Sequence, residues 1–120
     1  MPRTLVIDDD SDIRDFVSLV LRQAGHDVST AGDGQEGIEI LTRETFDLVV
    51  VDFFMPRATG AEVINHIVTA ELATKSVLMS GNHGVATLEP VASAAAFLPK
   101  PFTRRTLLAA VDALVPSVTA

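Results

Sequence analysis

Cysteine, tryptophan and tyrosine are all missing from this 120-residue chain. Without cysteine there can be no disulfide framework and no thiolate metal centre, which fits a reducing compartment, and the expected location is cytoplasmic. Six phenylalanines make up the whole aromatic complement. That is a poor basis for the stacking platforms that grip single-stranded nucleic acid. Basic residues are scarce too: nine Lys and Arg stand against sixteen Asp and Glu, for a net charge of −7. Apart from Arg104-Arg105 they are scattered singly, so phosphate backbones are repelled and no direct nucleic-acid binding is expected. Long apolar runs are lacking as well. Although 48% of the residues are hydrophobic, no stretch approaches the ~18 residues needed to cross a bilayer. Met1-Pro2-Arg3-Thr4 opens without the apolar core of a secretory signal, so neither export nor a membrane partner is expected.

What is present suffices for one domain with its own core. Apolar segments rich in β-branched residues alternate with stretches of helical period, the signature of an α/β fold with a parallel sheet. Strands are predicted at 3–8, 26–31, 46–52, 76–80 and 96–99. The third, "FDLVVVD", is an unbroken apolar run of the kind buried on both faces, and belongs at the centre of the sheet. Ile13, Phe16, Val17, Val20 and Leu21 mark one face of a first helix. Ser11 is its expected N-cap and Gly25 its expected C-cap.

A second helix follows "GDGQEG" and runs through Ile38 and Leu41. The third starts near Ala61, with Val63, Ile64, Ile67 and Val68 facing inward. The last covers 103–115, capped by Thr103. The segment "GNHGVATLEPVASAAA" predicts at most a short or irregular fourth helix, because Pro90 lacks the N–H that a helix interior needs.

In an open α/β sheet, ligands bind at the carboxyl ends of the strands, where strand order reverses. The first strand runs into Asp8, Asp9 and Asp10, the third ends in Asp52, the fourth in Ser80, and the fifth leads through Pro99 to Lys100. Carboxylates about 4 Å apart repel by roughly 4 kcal/mol at an effective dielectric near 20, so their collection at one rim calls for a cation. All-oxygen ligands suit Mg²⁺, or Mn²⁺. A metal, a hydroxyl and a lysine around an acid make the parts list for phosphoryl transfer, with one carboxylate as nucleophile.

"LVIDDDSDIR", "DLVVVDFFMPRATG", "VLMSG" and "FLPKPF", in this order, resemble the response-regulator receiver domain of two-component signalling over about the whole chain. The resemblance implies a flavodoxin-like, doubly wound (βα)5 fold with strand order 2-1-3-4-5 and helices on both faces. It makes residues 1–120 one receiver domain with no output domain in this chain. Asp52 matches the phosphoacceptor, Asp9 the direct Mg²⁺ ligand, Asp8 the acid that reaches the ion through water, and Phe54 the residue lending a backbone carbonyl. Ser80 and Lys100 match the hydroxyl and lysine that bind the phosphoryl group, and Ser80 with Phe97 the switch pair. Lys100-Pro101 is the matching cis-peptide candidate.

The implied partners are a histidine kinase or histidine phosphotransfer protein upstream and a protein target downstream. The implied activity is that of a switch which assists its own phosphorylation and dephosphorylation, and not of an enzyme turning over external substrates. Relative to the family pattern, the chain between Ser80 and Lys100 is slightly short.

Plainer readings stand beside these. Asp10 and Asp12 suit a helix N-terminus through the macrodipole. Phe97 by itself reads as core, Met55 and Met79 as gap-fillers, Gly60 as a turn residue with freedom of φ, and His26, His66 and His83 as surface residues. Two alternative functions remain open: a haloacid-dehalogenase-like phosphohydrolase using Asp8 as nucleophile and Asp10 as acid/base, and an unphosphorylated pseudo-receiver acting as a binding module. Against the former, the only acid after Lys100 is Asp112, and 120 residues leave no cap for choosing substrates.

Overall fold

A computed structural model of the chain describes residues 1–53, 55, 57–80 and 94–115. Its elements run β1 (Arg3–Ile7), α1 (Ser11–Gln23), β2 (Asp27–Ala31), α2 (Gly34–Arg43), β3 (Leu48–Asp52), α3 (Gly60–Thr69), β4 (Lys75–Ser80), β5 (Ala96–Pro99) and α4 (Arg104–Asp112). All neighbouring strands are parallel, in the order β2-β1-β3-β4-β5. This is the expected fold and strand order. The anticipated fourth helical segment, with Pro90 and His83, lies outside the described residues.

Alternation along the strands explains why the central runs are apolar throughout. Leu5, Ile7, Val49, Val51 and Leu78 point to one face, where α2 and α3 cover them with Ile40, Leu41, Val63, Ile64 and Ile67. Val6, Leu48, Val50, Val77, Met79 and Leu98 point to the other, beneath Val17, Val20 and Leu21 of α1 and Leu107 and Val111 of α4. β3, with neighbours on both sides and helices on both faces, is buried along its whole length. Each such aliphatic side chain contributes about 1.5–3 kcal/mol of transfer free energy. The sheet is thereby a rigid platform for whatever its strand ends carry.

Several sequence expectations are corrected by packing and capping. The N-cap of α1 is Asp10 instead of Ser11: its carboxylate accepts from the Asp12 N–H at 3.0 Å and the Ile13 N–H at 3.4 Å. An anion at this position satisfies two free donors and complements the helix dipole, which a hydroxyl does less well. The helix ends on Ala24, and Gly25 follows with φ +95°, so the glycine sits one residue beyond the C-cap.

Val68 is 53% exposed, because it lies at the margin of the apolar stripe of α3 and no described element reaches over it. Phe16 is likewise exposed on α1, with its ring 6.2 Å from that of Phe102 in the loop after β5. His26 is buried at 3% exposure, its Nδ1 2.8 Å from the Thr4 hydroxyl, because the start of β2 tucks beneath the end of α1. Met55 and Met79 are buried as expected.

Gly60 does not have a positive φ. It is the first residue of α3, where a Cβ would lie 2.5 Å from the Asp52 carbonyl oxygen and 2.9 Å from the Phe53 Cα. Its N–H donates to the Phe53 carbonyl at 2.9 Å. Close approach of α3 to the end of β3 is what requires a glycine here.

Candidate functional site

The reversal of strand order falls between β1 and β3, and there the acids meet. Asp8 directly follows β1, and its N–H still donates across to the Ala31 carbonyl of β2 at 3.2 Å. Asp52 closes β3. Asp8, Asp9 and Asp52 each bring a carboxylate oxygen into one group whose atoms lie within 4.8 Å of one another. Asp8 is fully buried, Asp52 is 7% exposed, and Asp9 faces solvent. Lys100, one residue beyond β5, extends its ammonium to 3.0 Å from Asp52 Oδ1 and 3.4 Å from Asp8 Oδ2.

Asp10 stands apart from this group. Its carboxylate is held at the α1 N-terminus, while its N–H donates to Asp8 Oδ1 at 2.9 Å. Asp12 lies in the first turn of the same helix. The run of three acids thus divides by role: two converge on the rim and one starts a helix.

Burial dominates the electrostatics. It pushes the carboxyl of Asp8 above its ordinary range, with the Asp10 N–H and then Lys100 acting in opposition and Asp9 adding to the rise. Asp52 is raised mainly by burial too, opposed first by its hydrogen bond from Lys100 and reinforced by the charge of Asp8. For Lys100, burial acts to lower the value, but the hydrogen bond and charge of Asp52, with Asp8 behind them, outweigh it and leave it raised. The ammonium therefore stays charged while the carboxylates resist losing their protons. Three acids share one lysine, so negative charge is in excess at the rim.

The donor set is all hard oxygen, partly buried and open on the side of Asp9, which fits a small divalent cation such as Mg²⁺. Supplying that cation would relieve the repulsion that burial intensifies.

Ser80 lies at the end of β4, 5% exposed and paired in register with Pro99 of β5. The Lys100 N–H donates to the Ser80 carbonyl at 2.6 Å, so the two residues sit on adjoining strand ends. The Lys100-Pro101 peptide bond is cis. Phe97 is 43% exposed on β5, which corrects the reading of it as core: β5 is an edge strand, and this side chain points off the sheet. Phe54 lies outside the described residues. One neighbour of the acids escaped the sequence reading. Arg14 of α1 donates from Nη1 to the Asp8 carbonyl at 2.9 Å. The signal was available, because side chains near the start of a helix lean toward its N-terminus and a long donor there reaches back to the preceding strand.

A five-stranded parallel sheet of order 2-1-3-4-5, with an acid cluster and a lysine at its carboxyl edge, defines a doubly wound α/β domain with a charged crevice at its topological switch point. Residues 4–112 match the response regulator receiver domain family, and the chain belongs to that family. Among curated relatives, the transcriptional activator protein PfeR of Pseudomonas aeruginosa is 35% identical, covering 98% of this chain and 39% of PfeR. The transcriptional regulatory protein PrrA of Mycobacterium tuberculosis is 37% identical, covering 95% of this chain and 50% of PrrA. The chain thus spans half or less of the length of these relatives. Among solved structures, the response regulator TrrA of Thermotoga maritima, in complex with Mg²⁺ and BeF, superposes with a TM-score of 0.88 at 28% identity, covering 96% of this chain and all of that one. None of these matches supports the dehalogenase-like alternative. Among the described residues, no helix is long and apolar enough to cross a membrane.

Proposed function

We propose that this chain, as one receiver unit over residues 1–120, is a phosphorylation-operated switch with Asp52 as phosphoacceptor. The observation that carries the reading is the placement of Lys100 Nζ 3.0 Å from Asp52 and 3.4 Å from Asp8, beside three converging carboxylates. A histidine kinase or histidine phosphotransfer protein presents a phosphoimidazole. A carboxylate oxygen of Asp52 bonds to phosphorus as the P–N bond breaks, and the electron pair leaves with the imidazole nitrogen, which takes a proton from water.

Asp8, Asp9, Asp52 and the backbone carbonyl of Phe54 would hold Mg²⁺ or Mn²⁺, which when bound supplies the positive charge that offsets the carboxylates and the phosphoryl oxygens. Lys100 and the Ser80 hydroxyl bind phosphoryl oxygens from the other side. A phosphoryl group brings close to two negative charges and strong acceptors. Engaging Ser80 and Lys100 shifts the ends of β4 and β5, and Phe97 on β5 changes its exposure. The surface of β4, β5 and α4 then selects a downstream protein.

The net charge of −7 supports a protein as the immediate target of this domain in place of nucleic acid. The domain serves its own phosphorylation cycle and acts on no external substrate, in a cytoplasmic setting.

The test is to incubate the chain with phosphoramidate and Mg²⁺ and read the intact mass. A phosphoryl adduct is expected on the parent and on Asp8→Asn at reduced yield, with none above background on Asp52→Asn or in EDTA. An Asp52→Asn variant that still accumulates the adduct, with the label on Asp8, overturns the assignment.

A further inference from the structure

Asp8 is wholly buried, and β1 ends one residue before it. Its N–H is taken by Ala31, and its carboxylate is steadied by the Asp10 N–H at 2.9 Å. The ladder between β1 and β3 stops at Ile7 and Val51, so the Asp8 carbonyl, buried with its residue, needs a donor from elsewhere. Arg14 supplies it at 2.9 Å. The peptide unit is planar, so the carbonyl oxygen of Asp8 and the Cα of Asp9 lie in one rigid plane. Holding that oxygen therefore fixes the orientation of the peptide unit from which Asp9 extends.

The guanidinium that reaches this carbonyl lies beside Gly32, where an added Cβ would make ordinary van der Waals contact with it, 3.5 Å from Arg14 Nη1. The Gly32 N–H is itself held by Glu36 Oε1 at 2.7 Å, which fixes the turn beside the guanidinium. At the other end, the Arg14 N–H donates to the Asp10 carbonyl at 2.9 Å, tying the base of the arm to the same loop.

We propose that Arg14 is a positioning residue for the metal site: it locks the Asp8–Asp9 peptide plane so that the two carboxylates and Asp52 converge on one cation. The inference rests on the metal-binding reading given under Proposed function. Arg14 acts through geometry, since its hydrogen bond goes to a backbone oxygen, while the charges bearing on the Asp8 carboxylate are those of Lys100 and Asp9. A counter-charge role has the opposite signature. Removing a cation from beside the acids would tighten Mg²⁺ binding, whereas loosening the peptide weakens it.

Calorimetric titration of the whole chain with Mg²⁺ distinguishes the two, comparing the parent with Arg14→Met, which keeps the aliphatic stem, and Arg14→Lys, which restores a donor. Arg14→Met is expected to raise the Kd for Mg²⁺ roughly tenfold, the scale on which residues orienting metal ligands act, and Arg14→Lys to recover most of that loss. In the metal-free protein, the amide resonances of Asp9 and Asp10 shift in Arg14→Met. Arg14→Gln is titrated in parallel, so that the question is answered if the Met variant does not fold. A Kd for Met or Gln within about twofold of the parent, or tighter, overturns the assignment while leaving the metal site intact. A parent chain that takes up no Mg²⁺ overturns the metal-binding reading together with it.

Discussion

The two ends of the same sheet treat charge in opposite ways. At the amino end, Arg3 is surrounded by partners: its guanidinium is 2.8 Å from Glu44, donates to the Thr45 carbonyl at 2.9 Å and lies 4.7 Å over the Phe46 ring. Its own N–H donates to Asp47 at 2.8 Å. Every one of these contacts is close to water, the Arg3 side chain being 39% exposed. At the carboxyl end, three acids gather around one lysine, and two of the acids are buried. Charge that is matched and wet ties the chain to itself at modest gain. Charge that is surplus and largely buried carries a repulsion that a further cation would relieve.

The comparison breaks most readily at Lys100. Lys100→Met leaves Asp8 and Asp52 without their cation, and breaking a largely buried ion pair costs a few kcal/mol; allowing for partial exposure of the lysine, about 2–3 kcal/mol is expected from urea unfolding at pH 7. Saturating Mg²⁺ should narrow that deficit. Arg3→Met is the matching change at the other end, and should cost no more than about 1 kcal/mol, in line with exposed ion pairs and cation–π contacts. It should leave the Mg²⁺ affinity untouched. Equal losses at the two ends would dissolve the distinction.

The smallest effect is expected from His26, which also belongs to the amino end. Burial lowers its pKa, with the charge of Asp112 opposing and the terminal amine assisting. A lowered folded value means that the unfolded chain binds the proton first. The stability tied to His26 is therefore full above about pH 6.5 and is lost as pH falls through the folded value. Unfolding curves at pH 7.5 and pH 5 should show this decline in the parent and a shallower one in His26→Gln. An unchanged slope would remove His26 from the account.

The strand order came from resemblance, but the layering was legible in the residues. β3 announced itself as a doubly covered strand because every position from Leu48 to Val51 is apolar, and helix periodicity named the inner faces of α1 and α3 correctly at Val17, Val20, Leu21, Val63, Ile64 and Ile67. Periodicity fails at the margins of a stripe, because it reports direction along one helix and nothing of what stands opposite. Hence Val68 and Phe16 were expected inside and lie outside. Asp8, Asp9, Asp52 and Lys100 could be grouped because strand ends share a rim in a parallel sheet. The reading of Asp10 and Asp12 as acids of a helix N-terminus holds; the distances could not be read, nor could the choice between Asp10 and Ser11 as cap, which depends on which side chain the backbone turns toward the free N–H groups. His26 was misjudged for a related reason: its partner Thr4 is remote in sequence and met only across the β1–β2 pair.

Ser80 and Lys100 are joined by a 2.6 Å backbone hydrogen bond at the last rung of the β4–β5 pair. Their separation is consequently dictated by strand pairing, and the stretch of polypeptide connecting them has no say in it. Insertions or deletions in that connection leave this backbone rung in place, and the short spacing in this sequence is one length that the rung accommodates. The two anchor points at the rim are thus set independently of how many residues lie between them.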